Sequence, residues 1–342
     1  MTTRLHGDWA RGFATTYGRG LLADALRHID TYVVITHPEP WAELQPTLPH
    51  EPAVVYGAGD LTPAHLERLV GEMPDVDAVI GIGGGSAMDT AKWLHWRRDI
   101  PLYQVPSLPS VDACFTRMTA LRDRGGVRYE GDAIPEVVLV DFDLMAAAPA
   151  ALVRGGIGDV LSCHTARHDW QLAANAGIGF EWDVEAAAMS NAYLDELEDL
   201  APSLAAGDDD GLRRLMECHR DIGWRCHHLG HARFEEGSEH FFAYAFEEVT
   251  GRTIMHGELV TLGVLIMSAV QANDPARPRR IADLAMTRTS LGELGVTWPE
   301  IEASLVRLPS FVAEHDLWFS AANGLVVDDD VLTLARTALR LD

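Results

Sequence analysis

Three side chains far apart in the 342-residue chain are of the types a divalent cation selects: Asp159, His240 and His256. Asp159 closes Gly155-Gly156-Ile157-Gly158-Asp159, at the predicted start of a helix. His240 lies in Gly237-Ser238-Glu239-His240 and His256 opens His256-Gly257-Glu258, 16 residues later, with Thr250-Gly251 between them. That separation permits two antiparallel or angled helices, each offering one imidazole to a shared point. One carboxylate and two imidazoles leave coordination positions open, the pattern of a catalytic rather than a structural ion. An ion held there would act as a Lewis acid on a substrate oxygen. The chain has 15 histidines, so spacing alone does not separate ligands from surface or capping residues. A rival group, Cys226, His227, His228 and His231, falls within little more than one helical turn and points to several faces. Those positions suit solvent-facing or helix-end residues.

Residues 78–92 read AVIGIGGGSAMDTAK, an apolar run entering Gly83-Gly84-Gly85-Ser86 and then a helical pattern. Glycines let backbone N–H groups approach a ligand closely, and a helix N-terminus adds partial positive charge, which together suit a pyrophosphate. The same glycines would also serve a plain strand-to-helix turn. The stretch is neither a Walker A loop nor a strict GxGxxG fingerprint. Asp89, one turn into the helix, reads as a solvated or helix-start carboxylate, with a cofactor contact as the lesser alternative.

These residues need elements to hold them. Short apolar runs at Tyr32–Ile35, Ala53–Tyr56, Ala78–Ile82, Leu102–Val105 and Val137–Val140 are continuous rather than alternating, as expected for parallel strands covered on both faces. Amphipathic stretches separate them; one begins at Thr62-Pro63, an N-cap followed by proline at the first helical position. The βαβ rhythm predicts a doubly wound sheet, with the glycine turn after its third strand. Phe115–Leu121 and Val127–Tyr129 flank Arg124-Gly125-Gly126 and read as a hairpin. Beyond Pro149 helical patterns dominate: Asp159–Ala174, Val184–Leu200, Leu212–Leu229, Glu239–Val249 and Gly257–Ala272. The expected architecture is a Rossmann-like α/β domain over 1–148 and an all-helical domain over 149–342, with the ligand site in a cleft between them.

Composition narrows the function classes. Lys plus Arg is 27 against 51 Asp plus Glu, a formal charge of -24. That balance argues against binding nucleic acid or an anionic membrane surface. Leu259–Val270, the longest candidate span, is far shorter than the roughly 20 apolar residues a membrane helix needs, and Met1–Phe13 has no signal-peptide core. The four cysteines show no CxxC pairing and make no disulfide framework, so a reduced, cytoplasmic setting is expected.

Taken in order, GIGGGSAMDTAK, VPSLPSVDA, GGIGDVLSCHTARHDWQLA, GSEHFFAYAFE and HGELVTLGVL resemble the glycerol-1-phosphate dehydrogenase family. That family lies within the superfamily of metal-dependent alcohol dehydrogenases, glycerol dehydrogenases and dehydroquinate synthases. The resemblance implies the dehydroquinate synthase-like fold and an NAD- or NADP-linked reaction between a secondary alcohol and a ketone. It implies that Gly83, Gly84, Gly85, Ser86 and Ala87 form the dinucleotide loop. It further implies that Ser107, Leu108, Pro109 and Ser110 contact the nicotinamide end and that Thr116 is another cofactor contact. Asp112 matches the substrate-orienting aspartate. Asp159, His240 and His256 match the ligands of a metal, zinc first, with iron, nickel or manganese also suited to one carboxylate and two imidazoles. A small polyol, polyol phosphate or ketone is the expected partner, in a homo-oligomer.

Departures from the family bear on the substrate. Ser110-Val111-Asp112-Ala113 stands where the family usually reads Ser-His-Asp-Gly. Tyr244 occupies the position, one turn after His240, of a family histidine that contributes to the substrate site. A phenol cannot neutralise phosphate as an imidazolium can. Phe234-Glu235-Glu236 replaces small uncharged residues, and two carboxylates facing the site would repel a phosphate dianion. Arg233 would offset part of that. The pair sn-glycerol 1-phosphate and dihydroxyacetone phosphate therefore competes with a non-phosphorylated polyol or a specialised-metabolite ketone. A dehydroquinate-synthase-like cyclase is disfavoured because the chain lacks the dense Lys/Arg set of a phosphate-eliminating site. A nucleotide-binding sensor without turnover is the remaining reading. Glu39, after the first predicted strand, suits an unphosphorylated ribose, but its spacing from the glycine loop is not the usual one, so NAD and NADP both stay open.

Overall fold

The computed structural model describes residues 13–109, 112–123 and 126–341. The N-terminal stretch read for a signal peptide therefore lies, up to Gly12, outside the described residues. Two compact units emerge: the described residues up to Val153 together with His219–His228, and Arg154–Cys218 together with the described residues from Leu229.

The first unit is built on eight strands: β1 (Thr15–Gly18), β2 (Tyr32–Thr36), β3 (Val54–Gly57), β4 (Ala78–Gly83), β5 (Leu102–Pro106), β6 (Thr119–Asp123), β7 (Gly126–Glu130) and β8 (Val137–Asp141). Six form one sheet in the order β1-β8-β5-β4-β2-β3, parallel throughout. Its centre is dry: every residue of β2 and of β4 is buried, so both read as unbroken apolar runs. β3 does not follow that expectation. Its residues alternate between half-buried and exposed because it closes one edge of the sheet. β1 closes the other edge. Thr15-Thr16-Tyr17-Gly18 has too little apolar character to register as a strand, and the glycine turn accordingly follows the fourth strand rather than the third. β6 and β7 pair antiparallel as the predicted hairpin; its turn residues Arg124 and Gly125 lie outside the described residues.

The second unit is helical. The predicted run Asp159–Ala174 is two helices, Gly158–Leu161 and Cys163–Asn175. They are pinched at Ser162, whose hydroxyl bonds the Asp159 carbonyl at 2.6 Å and the Glu235 carbonyl at 2.5 Å. Long helices follow at Val184–Ala206, Asp209–Leu229, Ser238–Thr250, His256–Val270 and Trp298–Glu314. Every residue from Gly257 to Ser268 is buried, so this apolar helix is the core of the unit, as expected of a helix without a polar face. Among the described residues no helix is long and apolar enough to cross a membrane.

Candidate metal centre

Asp159 is the second residue of its short helix, His240 the third of the Ser238–Thr250 helix and His256 the first of the His256–Val270 helix. The fold brings all three together. Asp159 Oδ1 stands 3.7 Å from His240 Nε2 and 3.5 Å from His256 Nε2, and one donor atom from each falls within 4.8 Å of the others. Tetrahedral bonds of about 2.0–2.1 Å set donors roughly 3.3 Å apart, so a small contraction would fit this donor set to a first-row dication. Among the described residues it is the one group of three or more such side chains so arranged. Burial opposes a proton on His240, yet the Asp159 and Glu239 carboxylates outweigh it and hold the imidazole well above its usual range. A field that draws a proton draws a metal cation too.

Glycines allow the helices to meet at this point. A Cβ on Gly158 would lie 2.2 Å from the Gly257 carbonyl oxygen, and one on Gly263 would lie 2.5 Å from that of Glu239. Glu239 is the hub beneath the donors. Its fully buried carboxylate accepts from Thr165 Oγ1 at 2.7 Å and the Gly237 amide at 2.7 Å, and it holds His240 Nδ1 at 2.9 Å. Such a carboxylate fixes the ring's tautomer and turns its other nitrogen toward an ion. Asp169 pins the same helix start, accepting from the Ser238 amide at 2.8 Å and the Ala321 amide at 2.7 Å. Burial pushes its carboxyl up, to about 6. The buried Glu258, two residues after His256, is gripped by Arg288 through contacts of 2.6 and 2.8 Å. Glu239, Asp169 and Arg288 were not singled out for roles in the sequence. Glu239 carries one local signal, an acidic residue directly preceding a ligand-type histidine at a helix start.

Tyr244 flanks the triad, its ring centroid 6.2 Å from that of His240 and 6.5 Å from that of His256. Its hydroxyl donates to Glu236 Oε1 at 3.0 Å. Burial raises the Glu236 carboxyl, against the opposing pull of His240 and the Tyr244 bond. Glu235 is buried instead in the neighbourhood of Cys163, whose thiol its charge helps to raise after burial itself. Arg233 is buried, donates to the Phe319 carbonyl at 2.7 Å and lies over the Trp318 ring. It offsets nearby carboxylates through the field rather than by reaching out. The rival histidines form no group: His228 meets the Trp224 carbonyl, His227 faces Arg117, and His231 packs on Trp170 and Phe180.

In the α/β unit, β4 ends at Gly83, whose φ of 145° and tight neighbours exclude a side chain. The helix Gly85–Arg98 follows. Its first bonds run from the Ala87 and Met88 amides to the Gly84 carbonyl, leaving those of Gly85 and Ser86 ahead of the helical ladder. The Ser107 amide reaches back to the Gly83 carbonyl at 2.9 Å, which sets the start of the Ser107-Leu108-Pro109 segment beside this turn. Ser110 lies outside the described residues. Asp112 opens the turn Asp112–Phe115. Asp89 corrects the expectation of a solvated carboxylate: it is buried and paired with buried Lys92 at 2.7 Å. Lys92 also donates to Thr116 Oγ1 at 2.9 Å and the Met118 carbonyl at 2.5 Å, tying the glycine-loop helix to the chain entering the hairpin.

Residues 49–149 match the iron-containing alcohol dehydrogenase family model. A probable glycerol dehydrogenase from Sinorhizobium meliloti 1021 superposes with a TM-score of 0.71 at 22% identity, over 96% of each chain. Glycerol dehydrogenase from Schizosaccharomyces pombe also gives 0.71, at 19% identity over 96% of this chain and 89% of that one. The fold is that of these dehydrogenases, and the likeness to the iron-containing alcohol dehydrogenase family model covers residues 49–149. The resemblance to glycerol-1-phosphate dehydrogenases is borne out by the enzyme of Methanothrix thermoacetophila, 29% identical over 69% of this chain and 67% of that protein. The enzyme of Thermoplasma acidophilum is 34% identical over 62% of this chain and 60% of its own. The matched stretch thus spans about two thirds of these relatives or less.

Proposed function

We propose that the chain is a metal-dependent, NAD(P)-linked oxidoreductase interconverting a secondary alcohol and its ketone. The observation that carries this reading is the convergence of one carboxylate and two imidazoles in a chain with the fold of these dehydrogenases. Asp159, His240 and His256 would hold one divalent cation, zinc first by donor set, and Gly83–Ala87 would hold the dinucleotide's pyrophosphate. When bound, the ion supplies Lewis acidity toward a substrate oxygen and the nicotinamide supplies a site for hydride.

The chain's own residues do the rest. Glu239 keeps His240 Nε2 aimed at the ion site and Arg288 keeps the start of the His256 helix in place. Asp112 orients a neighbouring substrate hydroxyl, as the resemblance implies. By the resemblance, Ser107, Leu108, Pro109 and Ser110 would contact the nicotinamide end and Thr116 would be a further cofactor contact. Tyr244 presents a neutral phenol to the substrate, with Glu236 accepting its proton-bearing hydroxyl.

On substrate, the glycerol-1-phosphate resemblance favours sn-glycerol 1-phosphate and dihydroxyacetone phosphate. The Glu236–Tyr244 pair beside His240 favours a polyol or ketone without phosphate, since a half-buried carboxyl there, when ionised, repels a dianion and already accepts the phenol's hydrogen bond. The test is a panel of phosphorylated and free polyols assayed with NAD and NADP before and after removal of metal. Turnover that disappears with the metal and returns with one equivalent supports the reading; full activity in verified metal-free protein refutes it. The panel then separates the two substrate classes.

A further inference from the structure

The sheet changes direction between β2 and β4. From β2 the chain steps outward to β3, then returns to the other side of β2 and continues through β4 and β5. In open parallel sheets ligands gather beyond the carboxyl ends of the strands at such a switch point. What stands there is His37. It follows β2 directly, and the pairing of Thr36 with Ile82 sets it level with Gly83. Its Nε2 lies 3.0 Å from Ser86 Oγ, and its Cδ2 would be 3.3 Å from a Cβ on Gly83. The imidazole therefore sits against the glycine turn itself.

A dinucleotide whose pyrophosphate rests on that turn extends to both neighbours of β4. The β5 side carries Ser107, tied to the Gly83 carbonyl and assigned above to the nicotinamide end. The adenosine ribose must then lie on the β2 side, over His37. Sites selective for an unphosphorylated ribose place a carboxylate at the end of the adjoining strand, which binds the 2′-hydroxyl and repels a 2′-phosphate. This chain has an imidazole there, able to donate N–H to a phosphate oxygen and carrying no negative charge. Glu39, the nearest carboxylate along the chain, is exposed in the following helix.

We infer that His37 is a specificity-determining residue for the cofactor and that the α/β unit accepts the 2′-phosphorylated dinucleotide. This rests on the dinucleotide assignment of the glycine loop. The test is direct binding of NADPH and NADH, read by energy transfer from tryptophan to the nicotinamide, which needs neither substrate nor metal. Wild type binds NADPH at least as tightly as NADH. His37→Asp weakens NADPH by about tenfold or more while NADH stays within about threefold, which also reports an intact fold. His37→Gln, which keeps a donor, retains most of the NADPH affinity, and Glu39→Gln leaves the ratio of the two affinities unaltered. The fragment 2′,5′-ADP displaces NADPH from wild type better than ADP does. A wild type that prefers NADH by tenfold, or a His37→Asp change that weakens both nucleotides equally, overturns the proposal alone. Failure of wild type to bind either nucleotide overturns the dinucleotide assignment and the proposal with it.

Discussion

At the scale of single residues the site depends on carboxylates that would not themselves touch an ion. Glu239 gathers Thr165, the Gly237 amide and His240 Nδ1 on one buried group. Replacing an outer-shell partner of this kind costs about 10–100-fold in metal affinity or activity. Glu239→Gln is therefore expected to lose zinc at a correspondingly lower chelator concentration, in a competition titration, with its circular dichroism spectrum unchanged. Arg288 makes a different kind of contribution. Removing it leaves the Glu258 carboxylate buried without its guanidinium, a change that costs about 3 kcal/mol or more in comparable pairs. Urea denaturation of Arg288→Ala should show a loss of that order. The three donor residues were legible in the sequence because their types and flanking glycines are local. Glu239 and Asp169 were not, because a hub is defined by what surrounds it: Thr165 lies 74 residues from Glu239 and Ala321 lies 152 from Asp169.

At the scale of elements, close approach of helices sets the donor geometry. Gly158 and Gly263 each face a carbonyl oxygen of a neighbouring helix with no room for a methyl group. Gly263→Ala should force apart the helices carrying His240 and His256, destabilising the protein by about 1–3 kcal/mol and lowering zinc occupancy in the same sample. In the α/β unit, Lys92→Met leaves Asp89 buried beside an apolar chain and is expected to cost about 3–5 kcal/mol. Lys92→Met combined with Asp89→Leu should recover part of that loss in the same melt, because the stranded charge is gone. The central strands β2, β4, β5 and β8 were legible as apolar runs because they are covered on both faces. β1 was not, since a four-residue edge strand of Thr-Thr-Tyr-Gly needs little hydrophobicity to pair with β8. The break at Ser162 escaped periodicity for a related reason: it is imposed by a hydroxyl bond to residue 235.

At the scale of the whole molecule, the chain places its two kinds of chemistry in two compact units. One bears the glycine turn and its switch-point imidazole. The other bears the donor triad, with a buried and mostly apolar helix as its core. Binding of an ion to the folded state alone adds stability through mass action, about 4 kcal/mol at a thousandfold excess over Kd. Dialysis against a chelator should accordingly lower Tm in wild type and leave it unmoved in Asp159→Ala. The central claim is met most directly by a crystallographic anomalous-difference map recorded at the zinc edge after one equivalent of zinc is added. The account predicts a single strong peak about 2.0–2.2 Å from a carboxylate oxygen of Asp159 and from Nε2 of both His240 and His256. A peak bound elsewhere, with these three side chains left empty, would contradict it.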